Sequence, residues 1–161
     1  MNNIATYLEQ LDQASREWLG ELGDDITEAE LVWQPFVGGH SIAALLVHIA
    51  EVEQYWLHHV AVGEPYRDME GEFLEGGVID QYEIQWATPS AGRLLAFYTE
   101  ILAATRARTK ELMSNVELSL VAKRREQEFT LHWLLTHVIV HEAYHGGQAV
   151  LLLLQQRKAV S

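Results

Sequence analysis

Residues 131–148 read LHWLLTHVIVHEAYHGGQ, and the spacing inside this stretch decides the fold class. Leu134 and Val138, continued by Ala149 and Leu152, fall on one face of a 3.6-residue repeat. On that face His137, His141 and His145 stand four apart, each only ~40° further round the helix than the one before. Thr130 caps the segment, which extends to about residue 156. Three more segments carry helical periodicity. Residues 3–22 place Ile4, Tyr7, Leu8, Leu11, Trp18 and Leu22 on one stripe. Residues 41–59 carry Ile42, Leu45, Ile49, Val52 and Trp56, behind a chain break at Gly38-Gly39 and a Ser41 cap. The next segment starts near Pro89, a favoured first helical residue with Thr88 as cap, and continues to about Met113. Nothing reads as a strand. Amphipathic helices in this number predict an all-α four-helix bundle, one domain over residues 1–161.

The connection over residues 60–87 is long, with four glycines and seven acidic residues against Arg67 alone. Such a loop covers a site, joins two parallel helices, or is a solvated insertion. A chain of 161 residues with 48% hydrophobic and 21% charged residues is an ordinary globular composition. Its formal charge of −12 argues against a nucleic-acid binder, because a phosphate backbone would be repelled. The chain has no cysteine, which excludes disulfides, thiolate metal sites and a cysteine nucleophile. That absence fits a reducing compartment. With no leader in MNNIATYLEQLDQ and no run of membrane-spanning length, the expectation is a cytoplasmic protein that does not enter a membrane.

Two imidazoles on a buried stripe are costly unless hydrogen-bonded or ligated. Spacing of i, i+4 lets His141 and His145 reach one ion, and His48, on the flank of the second helical stripe, is the candidate third ligand. Each of these histidines also has a plainer reading, as a core residue satisfied by a carbonyl. His40, His58, His59 and His132 read as solvated or capping groups. His141-Glu142-Ala143-Tyr144-His145 spells HExxH, the zinc-protease pattern. The remaining sixteen residues contain no His, Asp or Glu to complete such a site, so a third ligand has to come from upstream.

Residues 131–148, with a leucine-rich turn, then His, HExxH and a Gly-Gln ending, resemble the last helix of the DinB/YfiT-like superfamily. GHSIAALLVHIAEVEQYW at residues 39–56 resembles that family's second helix, and residues 25–35, ending Trp-x-Pro, its first connection. The family commonly has Arg where this chain has Gly146. The resemblance implies a four-helix bundle with a long crossover and a metal site made of His48, His141 and His145. Three histidines and an open position describe a catalytic type of site, for zinc or nickel. Glu142 and His137 then stand as acid–base or supporting groups. Relatives include enzymes that use low-molecular-weight thiols, as S-transferases or isomerases, so the resemblance implies a thiol cosubstrate. A hydrolase with Glu142 as base on a metal-bound water, and a non-catalytic metal-binding module, are the alternatives. Family members are often homodimers; here Trp18 and Trp56 are candidates for the shared surface, and core packing explains either equally well.

Overall fold

The computed structural model describes residues 3–75, 86, 88–89 and 92–160. The chain forms α1 (Ile4–Leu22), a short α2 (Glu28–Val32), and α3 (Ile42–Glu53), which runs on into a π-helical segment, Gln54–Val60. Then follow α4 (Met69–Phe73), β1 (Leu74–Glu75), β2 (Thr88–Pro89) and α5 (Leu95–Met113). A hairpin of β3 (Val121–Arg124) and β4 (Gln127–Thr130) leads into α6 (Leu131–Val160). Side chains cap the helix starts. Asn3 accepts from the Thr6 amide, Ser41 from Ala44, and Thr130 from Trp133 at 3.2 Å. Thr27 and Glu30 form a reciprocal capping box on α2.

The long helices α1, α3, α5 and α6 make the expected bundle, α1 packing on α6 and α3 on both α5 and α6. One apolar cluster holds Trp18 and Leu22 of α1, Ile42 to Val47 with Ile49 and Ala50 of α3, Tyr98 and Leu102 of α5, and Leu152 and Leu153 of α6. The other holds Tyr7 and Leu11, Leu57, Met113, and Leu131, Leu134, Leu135 and Val138. The N-terminal halves of α3 and α5 therefore share an end with the C-terminal halves of α1 and α6. α3 and α5 are parallel, and the connection between them has to recross the bundle. Of the three readings of that loop, joining parallel helices is the one the architecture requires.

Between the clusters lies a buried ionic belt. Arg106 of α5 bonds Glu53 at 2.9 Å, Glu142 at 2.6 Å and Asp12 at 3.0 Å, joining all four long helices. Thr109 donates to Glu53 at 2.6 Å and accepts from the His58 ring at 2.8 Å. His58 is thus a buried member of the belt rather than a solvated group, and burial lowers its pKa. Burial works against the Arg106 charge, but Glu53 and Glu142 more than offset it, so Arg106 stays protonated.

Two local expectations are corrected. α5 begins at Leu95, not near Pro89, and its cap residue Leu94 offers no side-chain bond. Thr88 and Pro89 instead pair antiparallel with Glu75 and Leu74. Gly92 sits at φ +80°, which a helix running from Pro89 could not accommodate. The second correction is the β3–β4 hairpin, registered Val121↔Thr130 to Arg124↔Gln127. Its tight turn places Arg125 at φ 55°, where Asn or Gly is the usual signal, so the residues there do not announce it.

Trp18 is 5% exposed, inside the first cluster, and Trp56 packs edge-on against Phe129 and Trp133. Trp18 offers no free surface, and Trp56 is half-buried. The Trp18 indole also explains Gly146. A Cβ there would stand 2.3 Å from Trp18 Cγ, so no side chain fits at this position. Gly146→Ala is expected to lower stability by about 1–3 kcal/mol, the cost of overpacking a closed core. Urea unfolding checks this, and an unchanged midpoint would contradict the packing described.

Candidate metal centre

α3 and α6 cross so that His48 faces His141 and His145. The Nε2 atoms of His48 and His141 are 3.1 Å apart, and one nitrogen from each of the three rings lies within 4.8 Å of the others. Nitrogens sharing one tetrahedral zinc at ~2.0–2.1 Å stand about 3.3 Å apart. The cluster is therefore close to a ligand triangle.

The outer nitrogens strengthen that fit. His48 Nδ1–H donates to Glu70 Oε1 at 2.5 Å, and His145 Nδ1–H to Gln148 Oε1 at 2.7 Å. Each bond fixes the tautomer that leaves the Nε2 lone pair pointing inward, and anchored imidazoles of this kind are what a divalent ion takes. Glu70 is itself placed by its amide, which donates to Glu51 Oε2 at 2.6 Å, and Tyr66 donates to the other oxygen of Glu51. Trp86 walls the site, its ring edge-on to His40, His48 and His145 with centroids 3.7, 5.3 and 6.0 Å away. Its amide is tied to the Gly38 carbonyl at 2.8 Å.

Burial, followed by the neighbouring His48, drives the His141 pKa down to about 2 and that of His145 to about 4. Both rings are neutral donors well below pH 7. Metal uptake by free imidazoles releases one proton each once pH falls below ~6.5. At pH 5.5, calorimetry of zinc binding in buffers of different ionisation heat should show about one proton released or fewer, because His141 and His145 hold none to give. Release approaching three would mean the rings are solvated.

The other site residues named from sequence fall elsewhere. Glu142 is 1% exposed and accepts from Ser15, from Trp18 at 3.3 Å and from Arg106 at 2.6 Å. Its carboxylate belongs to the ionic belt, with burial raising its pKa and Arg106 opposing that rise. His137 stacks flat on Trp133, centroids 4.7 Å apart, and its ring is 6.1 Å from that of His141. It is not one of the three converging rings. His40 is drawn in beside Trp86, its Nδ1 buried without a partner among the described residues. His59 donates to the Glu64 carbonyl at 2.8 Å, and His132 accepts from the Tyr7 hydroxyl.

Glu70 and Trp86 were invisible to spacing arguments because both come from the aperiodic crossover. Gln148 had a signal, three residues after His145 on the same helix face. Arg106 had one too: a lone charge on a stripe with Tyr98, Leu102, Thr109 and Met113 implies buried acidic partners.

No curated protein matches the chain. The crystal structure of a conserved protein from Enterococcus faecalis superposes with a TM-score of 0.64 at 22% identity, over 95% of this chain and 96% of that one. It carries the fold alone. The mycothiol-S-transferase profile matches residues 7–153. Spanning all four long helices and all three converging histidines, that match places the chain in the mycothiol-S-transferase family, within the DinB/YfiT-like superfamily.

Proposed function

We propose that the protein binds a divalent ion, zinc or nickel, through His48, His141 and His145 and transfers a low-molecular-weight thiol to an electrophile. The carrying observation is the convergence of these rings with outer nitrogens anchored by Glu70 and Gln148. The ion would supply a lowered thiol pKa and hold the sulfur as a nucleophile. Since the chain has no cysteine, the sulfur arrives as cosubstrate. A mycothiol-like thiol is the first choice, given the family.

In the transfer the thiol loses its proton, sulfur forms a bond to carbon, and the leaving group departs with the electron pair. His137 is the base we assign to that proton; burial lowers its pKa, so it is neutral at pH 7 and free to accept. Trp86 gives the electrophile an apolar wall and limits water. Glu142 acts through Arg106 as a positioning residue. The hydrolase reading needs the Glu142 carboxylate on a bound water, and the bonds from Ser15, Trp18 and Arg106 engage it elsewhere. A cytoplasmic setting suits a free thiol cosubstrate.

Metal analysis of protein purified without chelator, then a screen of electrophiles with and without small thiols read by product mass, tests the proposal. Thioether products that require both metal and thiol are expected. Turnover without thiol would favour the hydrolase, and Glu142→Gln separates the two further. A general base lost costs ~10²–10⁴ in turnover, whereas in the thiol transferase matched metal loading should leave turnover within about tenfold of the parent. No turnover of any electrophile with full metal occupancy would leave the non-catalytic module.

A further inference from the structure

Two lines of contact lead away from the histidine cluster and meet again at one arginine. On the α6 side the His141 ring is 6.1 Å from His137, which stacks on Trp133 with 7° between the planes. Both of those rings meet Trp56, centroids 5.3 and 5.4 Å away. On the crossover side His48 bonds Glu70, and the Glu70 amide donates to Glu51. Tyr66 also donates to Glu51 and meets Tyr55 edge-on at 5.7 Å. Tyr55 and Trp56 are where the two lines converge on Arg124 of β3. Its Cζ lies 5.3 Å from the Tyr55 ring and 5.4 Å from the Trp56 ring, and its Nε–H donates to the Tyr55 hydroxyl.

Arg67, Arg106, Arg108, Lys110 and Arg157 each pair with a carboxylate. Arg124 has none among the described residues, and its two terminal nitrogens make no hydrogen bond there. A half-buried guanidinium with its Nε tied and its fork open is pre-set for a bidentate carboxylate. A chain of charge −12 repels such a group as a whole, so an open cation decides where it lands. Trp133 and Tyr66 are 41% and 43% exposed, which leaves both lines within reach of a ligand.

We propose that the strip binds the electrophile, and that the electrophile is an elongated planar carboxylic acid. The acid sits on the Arg124 fork, the ring system lies along Trp56, Trp133 and His137, and the reacting carbon faces the histidines. Only what happens at the histidine end rests on the thiol-transfer reading. Eight residues of helix separate His48 from Trp56, ~12 Å, so the acid and the reacting carbon stand roughly that far apart. Two linked aromatic rings have that reach, and a small aliphatic acid does not. Rings along the α6 side suit a rigid planar body better than a flexible thiol. Arg124 also clamps the hairpin onto the π-helical segment, and that structural role by itself predicts no preference among ligands.

Equilibrium dialysis of biphenyl-4-carboxylate and of biphenyl-4-carboxamide, without thiol, tests the acid site apart from turnover. The carboxylate should bind about tenfold or more tightly than the amide, a charge-assisted pair against a neutral one. Arg124→Gln should bring the two to equal affinity. Arg124→Lys keeps a cation and an apolar stem to hold the hairpin, yet should lose affinity for the carboxylate alone, since a point charge cannot replace the fork. His141→Ala should keep the preference, so a failure of the metal or thiol reading leaves this result standing. Equal affinities in the parent, an undiminished preference in either Arg124 variant, or a preference lost in His141→Ala would each overturn the proposal. Displacement of the biphenyl acid by equimolar glutathione, an acidic thiol without a ring, would assign the arginine to the thiol and overturn it too.

Discussion

His141→Ala is expected to lose more than 100-fold in affinity for zinc or nickel. Outer partners of metal ligands typically account for ~10–100-fold, and His141 is a candidate ligand lying 3.1 Å from His48 at the centre of the cluster. Glu70→Gln provides the graded comparison. The amide can still accept from His48 Nδ1, but the charge that raises ring basicity is gone, so a drop of ~10–100-fold is expected. His58→Ala should leave affinity unchanged while costing stability, because His58 bonds Thr109 in the belt. Competition against a chromophoric chelator measures all three. Stoichiometric, undiminished metal in His141→Ala would remove the assignment, and loss on His137→Ala with retention on His48→Ala would show that the third ligand was misread.

Arg106→Ala is expected to cost about 3–5 kcal/mol, a large share of the stability of a domain this size. The guanidinium makes five hydrogen bonds to Glu53, Glu142 and Asp12. Removing it leaves Glu53 and Glu142, each 1% exposed, without their counter-charge. These carboxyls then have to ionise uncompensated or take up protons. Arg106→Met with Glu53→Gln and Glu142→Gln removes the charges together and should recover much of the loss, since breaking a buried ion pair costs more than replacing it. Thermal unfolding at matched pH checks both. If Arg106→Ala melts like the parent, the belt does not hold the helices together.

Much of this molecule was legible in its residues because the signals were periodic. The stripe of Leu134, Val138, Ala149 and Leu152 is buried as its spacing requires, and the i, i+4 pair His141 and His145 meets His48 on the facing helix. Illegible features came from contacts without period. Glu70 reaches His48 across 22 residues of chain, and Trp86 arrives from the same crossover. Pro89 was read by its preference for a first helical turn, yet a residue lacking an N–H is equally at home in a short edge ladder. For Glu142, the HExxH pattern suggested a base, but the motif says nothing about the arginine on α5 that takes the carboxylate. Trp18 and Trp56 fitted a shared surface and core packing equally well, because their size was visible and their neighbours were not; Trp18 proves to be core.

The ionic belt has one more consequence, for alignment. Each long helix contributes its share of the belt at a single level: Asp12 and Ser15, Glu53, Arg106 and Thr109, and Glu142. A slip of α6 by one turn, ~5.4 Å, would carry Glu142 out among the leucines and leave Arg106 facing apolar side chains. The apolar clusters alone would tolerate such sliding far better. His141 adjoins Glu142 in the chain, and His48 lies about a turn and a half from Glu53, so the interlock that forbids sliding also sets the histidines opposite one another. The scaffold thus brings the cluster together through its own packing, and circular dichroism should show the same helix content with and without added zinc.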